Sequence, residues 1–138
     1  MGRILAIDYG RKRCGIAVTD PARIIATPLT TVATARLWDF LKEYMEKEPV
    51  DCVVVGEPRQ MDYTPSESER YIAPFLARFV KAYPAVPLER VDERFTSKIA
   101  FQSMIDMGLK KKRRQDKALV DEISAALILQ TYMQNQTI

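Results

Sequence analysis

The chain has 138 residues, of which 47% are hydrophobic and 28% are charged, with a net charge of +3. This balance is typical of an ordinary globular protein, and the length suits one domain over residues 1–138. No apolar stretch approaches the length of a membrane span, and the N-terminus lacks a basic segment followed by a long apolar core. We therefore expect a cytoplasmic protein that does not cross a membrane.

The chain contains no histidine, so no imidazole can serve as a base, a proton shuttle or a metal ligand. Cys14 and Cys52 both lie in apolar, strand-like runs, where a thiol packs as a small hydrophobe and stays reduced. A disulfide or a zinc site is therefore not expected. Catalysis would have to rest on carboxylates, which are hard oxygen ligands suited to Mg²⁺ or Mn²⁺.

The N-terminal segment predicts a β-hairpin with a carboxylate at its rim. The apolar run Ile4–Ile7 ends at Asp8, and a second apolar run, Cys14–Val18, follows a basic turn. The residues Arg23–Val32 have the β-branched content of a third strand, and the short connections favour antiparallel pairing. Asp8 has two interpretations here, since an acid at a strand end serves either function or simple turn chemistry.

The turn of this hairpin combines glycines with positive charge. Gly10 and Gly15 either adopt a positive φ or bring the backbone close to a phosphate, and a simple tight hairpin is the equal alternative. Arg11 and Lys12, together with Arg13, lie beside Asp8 in sequence. They could hold substrate phosphates, or they could form a solvated basic turn.

The rest of the chain alternates between helices and short strands. The predicted elements are a helix over Ala35–Glu48, a strand over Val50–Gly56, a helix over Thr64–Tyr83, a strand over Pro87–Val91, a helix over Thr96–Met107 and a helix over Lys117–Met133. Three antiparallel strands followed by helices and two parallel strands predict an α/β fold with a mixed five-stranded sheet and helices on both faces. This is the layout of the ribonuclease-H-like fold.

Two further acidic positions stand out. Asp92 and Glu93 follow a predicted parallel strand, and the carboxyl ends of such strands are where open α/β sheets bind ligands. Asp121 lies on the most apolar helix. Taken singly, these residues could form ion pairs with Arg90 or Arg94, or favour a helix N-terminus. Their coincidence with Asp8 predicts a carboxylate cluster that a divalent cation would neutralise, suited to phosphodiester hydrolysis.

A second basic segment precedes this last helix. It consists of Lys110, Lys111, Lys112, Arg113 and Arg114. The segment is too charged to pack, so we expect a loop that contacts nucleic acid, with improved solubility as the alternative.

Four ordered motifs carry a resemblance to a known family. They are Asp8-Tyr9-Gly10 with Gly15-Ile16-Ala17, Val54–Pro58, Asp92–Ser97 and Asp121–Ala126. The chain resembles, over essentially its whole length, the YqgF family, also called RuvX. This is a family of ribonuclease-H-like proteins regarded as Holliday junction resolvases and pre-16S rRNA nucleases.

The resemblance implies that Asp8, Glu93 and Asp121 are the catalytic acids that bind Mg²⁺ or Mn²⁺, with Asp92 and Arg94 supporting the second motif. It also implies a cytoplasmic nuclease that processes the 5′ end of pre-16S rRNA in ribosome biogenesis. One departure is Glu57, which stands where the family more often has leucine. The other is that the usual glycine before the last motif is absent.

Glu57 could be an extra carboxylate, although a loop or ion-pair role is favoured. A Holliday junction resolvase would favour a two-fold dimer, whereas RNA trimming suits a monomer, which is the default expectation. A catalytically silent RNA-binding protein is the alternative from another class. A sugar-kinase or actin-like protein is disfavoured, because it would need two such domains.

Overall fold

The computed structural model describes residues 2–57, 69–92 and 117–136. The strands are β1 (Arg3–Tyr9), β2 (Arg13–Thr19), β3 (Ala26–Ala33), β4 (Val50–Glu57) and β5 (Leu88–Asp92), and the helices are α1 (Leu37–Lys47), α2 (Glu69–Ala82) and α3 (Lys117–Gln136). A short 3-10 turn, Thr34–Arg36, leads into α1. The helix predicted over Thr96–Met107 and the predicted start of α2 lie outside the described residues.

The five strands form one mixed sheet in the order β3-β2-β1-β4-β5. β1 pairs antiparallel with β2, and β2 pairs antiparallel with β3, because short turns connect them. β4 lies parallel to both β1 and β5, since each of these connections crosses over through a helix. The predicted three antiparallel and two parallel strands are confirmed.

Helices cover both faces of this sheet, as the sequence predicted. Alternate residues of β1 point to opposite sides, so Leu5 and Ile7 pack with α1 and α2 whereas Ile4 and Ala6 pack with α3. Leu5 and Ile7 are fully buried, and burying a side chain of that size stabilises the fold by about 1.5–3 kcal/mol. β1 is therefore a central strand, and a residue at its end lies at the rim between the two helical layers.

The third strand begins later than predicted. Arg23 has a positive φ of 59°, and the side chain of Asp20 accepts hydrogen bonds from the backbone N–H groups of Ile24 and Ile25, both at 2.8 Å. This local turn occupies the residues that the β-branched composition assigned to the strand, because an aspartate side chain competes for backbone donors. The backbone hydrogen bonds also lower the pKa of Asp20.

Both cysteines are free and buried, as predicted. Cys14 packs beneath α1 and α2, and Cys52 packs beneath α3. Burial raises the pKa of each thiol, so neither is an activated nucleophile. Within the described part of the chain, no helix is long and apolar enough to cross a bilayer.

Candidate active site

Asp8 lies at the rim of the sheet, near the end of β1. Strand alternation places it on the same side as Ile4 and Ala6, which is the side covered by α3. In the antiparallel ladder Asp8 stands directly opposite Gly15 of β2. The sheet thus directs this carboxylate towards the layer that contains Asp121.

Gly15 is where α3 comes closest to the sheet. A Cβ atom added at Gly15 would lie 3.0 Å from the backbone nitrogen of Glu122 and nearer still to the carbonyl group of Asp121. The first half of α3 therefore rests on the bare backbone of β2, beside the residue that pairs with Asp8. The fold brings Asp8 and Asp121, two of the three predicted catalytic acids, to one place.

The role of Gly15 differs from the one expected from the sequence. Neither Gly15 nor Gly10 has a φ in the left-handed region, so the alternative of a positive φ is wrong for both, whereas an approach to a phosphate stays a prediction. Gly15 lies inside β2, where it makes room for the helix backbone. At Gly10 a Cβ would lie 2.5 Å from the carbonyl oxygen of Arg13, so this glycine serves the tight hairpin.

Arg13 is the cation nearest to the site among the described contacts. Its Nε donates to Oδ2 of Asp121 at 2.8 Å, and the two side chains retain 39% and 24% of their exposure. Arg13 shares its face of β2 with Gly15, since the two are two residues apart. Sequence reasoning grouped Arg13 with Arg11 and Lys12 in one basic turn and could not single out its contact with Asp121.

The two other basic residues of the turn are exposed. The Arg11 guanidinium lies over the ring of Tyr71 in α2, 4.5 Å from its centroid. The carbonyl of Lys12 accepts a hydrogen bond from the backbone of Thr34 at 3.0 Å, which anchors the turn. Both residues belong to the turn between β1 and β2, which follows Asp8 in the chain.

Asp92 does not lie on the same side of the sheet as Asp8. Its neighbour Val91 packs against the α3 side, so alternation turns Asp92 towards α2. Asp92 is paired in register with Glu57, and Glu57 lies 4.0 Å from Arg90. The favoured ion-pair role of Glu57 is thus confirmed, and this glutamate is on the opposite side from Asp8.

The remaining predicted site residues lie outside the described residues. They are Glu93, Arg94, Lys110, Lys111, Lys112, Arg113 and Arg114. Over residues 2–57, 69–92 and 117–136 there is no group of three histidine, cysteine or acidic side chains that could hold a metal ion. The pair Asp8 and Asp121 still fits Mg²⁺ or Mn²⁺, because such ions are commonly held by one or two carboxylates together with substrate phosphates.

Comparison with known proteins identifies the family of this chain. Residues 2–135 match the family model described as "RuvX: Holliday junction resolvase". The chain belongs to the RuvX family. The predicted resemblance is thereby confirmed over nearly the whole chain.

Three curated relatives carry the name "Putative pre-16S rRNA nuclease". The relative from Christiangramia forsetii is 63% identical over 133 residues, covering 96% of this chain and 98% of its own. The relative from Porphyromonas gingivalis is 56% identical over 98% of both chains. The relative from Phocaeicola vulgatus is 58% identical over 99% of this chain and 98% of its own. The predicted enzyme class, a nuclease that hydrolyses phosphodiester bonds, is confirmed at the level of these names.

Two solved structures share the fold. One is Thermus thermophilus RuvC in complex with a Holliday junction substrate, with a TM-score of 0.57, 20% identity and coverage of 99% of this chain and 98% of that one. The other is the fowlpox virus Holliday junction resolvase, with a TM-score of 0.57, 13% identity and coverage of 96% and 99%. At these identities the likeness concerns the fold alone, and it confirms the ribonuclease-H-like sheet.

Proposed function

We propose that this protein is a metal-dependent nuclease that processes the 5′ end of pre-16S rRNA in the cytoplasm. The observation that carries the proposal is the meeting of Asp8 and Asp121 around Gly15, at the rim of a ribonuclease-H-like sheet. The name of the curated relatives supports ribosomal RNA as the substrate.

The proposed third acid is Glu93. In β5, Val91 lies on the α3 side of the sheet and Asp92 on the other, so Asp92 is turned away from Asp8. The family resemblance implies Glu93 instead. Asp8, Glu93 and Asp121 would hold Mg²⁺ or Mn²⁺. When bound, such an ion supplies positive charge at the scissile phosphate and makes water a better nucleophile.

The chain's own cations have separate proposed roles. Arg13 holds the carboxylate of Asp121 in place before substrate arrives. Arg11 and Lys12 at the rim bind phosphates on either side of the scissile bond, with Arg94 assisting the second motif. The segment Lys110–Arg114 adds affinity that is independent of base identity.

Cleavage assays would test this proposal. Labelled pre-16S rRNA and a synthetic four-way DNA junction are each incubated with wild type, Asp8→Asn and Asp121→Asn, with Mn²⁺ or with excess chelator. We expect RNA cleavage that requires Mn²⁺ and falls by at least about 100-fold in both variants, because each removes a carboxylate that would hold the metal ion whose positive charge stabilises the transition state. Glu46→Gln, which removes an exposed charge from α1, is the matched control and should cleave normally.

Other outcomes would assign a different function. Metal-dependent cutting of the four-way junction instead of the RNA would favour a resolvase, which the description of the family model supports. Light scattering should then show a dimer, whereas a monomer is predicted for RNA trimming. RNA binding without cleavage by any variant would identify a catalytically silent RNA-binding protein. Full activity in chelator would refute metal dependence.

A further inference from the structure

A band of basic and aromatic side chains crosses the α1–α2 side of the molecule, and the proposed cleavage site accounts only for its first member, Arg11. We define the basic–aromatic band as Arg11, Tyr71, Arg78, Trp38 and Lys42. Its first member, Arg11, belongs to the turn at the rim beside Asp8. The band therefore begins at the candidate site and leads away from it over the other helical layer.

Two cation–π contacts, the spacing of α2 and one groove connect the members of the band. The Arg11 guanidinium lies 4.5 Å from the centroid of the Tyr71 ring, and the Arg78 guanidinium lies 4.2 Å from that of Trp38. Tyr71 and Arg78 are seven residues apart on α2, so they stand two turns apart on one helix face. Arg78, Trp38 and Lys42 all line one groove of about 400 Å³ between α1 and α2.

Buried rings support the band from below. Phe75 is 4% exposed, and its ring centroid lies 5.2 Å from that of Tyr9 and 5.3 Å from that of Trp38. These contacts fix Trp38 against the core, because three rings share one packed cluster. Tyr71 differs, since 39% of the residue is exposed. The band thus combines a half-buried Trp38, held on the core, with an exposed Tyr71 and exposed cationic groups.

The charge of this surface favours an anionic partner. Over its described length α2 has three basic residues, Arg70, Arg78 and Lys81, and a single acid, Glu69. In the groove, Asp39 of α1 offsets one of the two cations Lys42 and Arg78, so the positive excess lies along α2. Glu69 is already neutralised, since both of its oxygens accept hydrogen bonds from Arg90 at 2.7 and 3.1 Å. Cations alternating with accessible rings are the combination that binds single-stranded nucleic acid, through phosphates and base stacking.

We infer that the basic–aromatic band binds a single-stranded segment of the RNA substrate that continues from the scissile bond past Arg11 and along α2 to Trp38. This inference rests on the proposed function and adds a binding path to it. A duplex would offer phosphates only, because its bases are already stacked on each other and cannot reach the rings. Arg11 and Arg78 contact the phosphates or stack on bases, while Tyr71 and Trp38 provide ring surfaces.

Trp38 makes the inference directly measurable, because it is the only tryptophan of the chain. An oligouridylate of about 12 nucleotides, within the span that single-strand binding surfaces cover, is titrated into the protein in chelator. We expect quenching of the Trp38 emission that saturates together with the anisotropy of the labelled RNA. RNA binding without any change in the emission would overturn the inference.

Variants test the same path without relying on fluorescence. The double variant Arg11→Gln, Arg78→Gln should reduce the slope of log Kd against log salt by about 1.4, since each phosphate contact to a single strand contributes about 0.7. Trp38→Leu should weaken binding by about tenfold or more through lost stacking. Thermal unfolding checks that each variant folds. If Trp38→Leu fails to fold, the double arginine variant still tests the inference, because both arginines are exposed.

Lys47→Gln is the matched control. Lys47 is 70% exposed and paired with Glu43, and it lines a different groove of α1 together with Phe40 and Tyr44. This variant removes one positive charge outside the band, as each of the two arginine substitutions does inside it, and should bind as wild type does. An equal loss in Lys47→Gln would overturn the inference. The inference would also be overturned if the double arginine variant lost as much affinity for a duplex RNA as for the single strand.

The design separates this inference from the proposed function. Binding is measured in chelator, so its outcome does not depend on whether the protein cleaves RNA. Quenching of Trp38 in a protein that never cleaves RNA would leave the band standing and refute the nuclease proposal. Cleavage of RNA that is insensitive to the double arginine variant, with no quenching, would refute the band and leave the nuclease proposal standing.

Discussion

Replacing Gly15 by alanine tests the packing that brings Asp8 and Asp121 together. The added Cβ would lie within 3.0 Å of the α3 backbone, whereas ordinary contacts begin at 3.4 Å. The helix must therefore retreat by more than 0.4 Å, and no flexible side chain can yield instead, because the obstructing atoms are backbone. Overpacking of this kind costs about 1–3 kcal/mol of unfolding free energy.

The same displacement moves Asp121 relative to Asp8. A misplacement of about 1 Å at a reacting centre lowers rates by about 100-fold, so cleavage should fall more steeply than stability. Urea unfolding gives the stability loss, and single-turnover RNA cleavage gives the rate. Ala33→Val, which enlarges an exposed residue at the end of β3, is the control and should change neither. If Gly15→Ala had the stability and cleavage rate of wild type, the close packing of α3 on Gly15 would not be what positions Asp121 near Asp8.

Two other substitutions probe local charge. Arg13→Gln should lower the free energy of unfolding by less than about 1 kcal/mol, since the ion pair with Asp121 is partly exposed. The same variant should bind Mn²⁺ more tightly in calorimetry, because a cation that competes for Asp121 has been removed. Weaker Mn²⁺ binding would contradict this. Asp20→Ala should lower the urea midpoint at pH 7. Because the pKa of Asp20 is lowered in the fold, its stabilisation exists above the unfolded value of 3.8 and is lost as pH falls below it. If the difference in urea midpoint between wild type and Asp20→Ala stayed constant down to about pH 2, the ionised Asp20 carboxylate would not be the source of the stabilisation.

The sheet was predictable because its signals are local. The run Ile4–Ile7 needs burial on both sides, and the structure places β1 at the centre of the sheet with helices on both faces. Gly10 predicted the end of β1, and Pro49 predicted the end of α1. The structure has both ends close to these residues. β3 was the exception, since the hydrogen bonds of the Asp20 side chain overrode the strand propensity of Ile24 and Ile25.

The site was only partly predictable, because its key contacts join residues far apart in the chain. Acidic residues at a strand end and on an apolar helix were visible in the sequence as anomalies. The small residues Ser124 and Ala125 beside Asp121 did indicate that α3 approaches the sheet closely. The position of that approach at Gly15 and the contact between Arg13 and Asp121 were not visible, since both depend on residues distant in the chain. The basic–aromatic band was likewise hidden, because the helical spacing of Trp38 and Tyr71 is also that of core residues.

The position of Asp121 on α3 has a consequence for how the protein becomes active. Arg13 and Asp121 are 108 residues apart in the chain, so their contact closes a very long loop, and the packing of α3 on the sheet must offset the entropy lost. The candidate site is therefore complete only while α3 is docked on the sheet. A substitution that loosens α3 from β2 would separate Asp121 from Asp8 without altering either carboxylate.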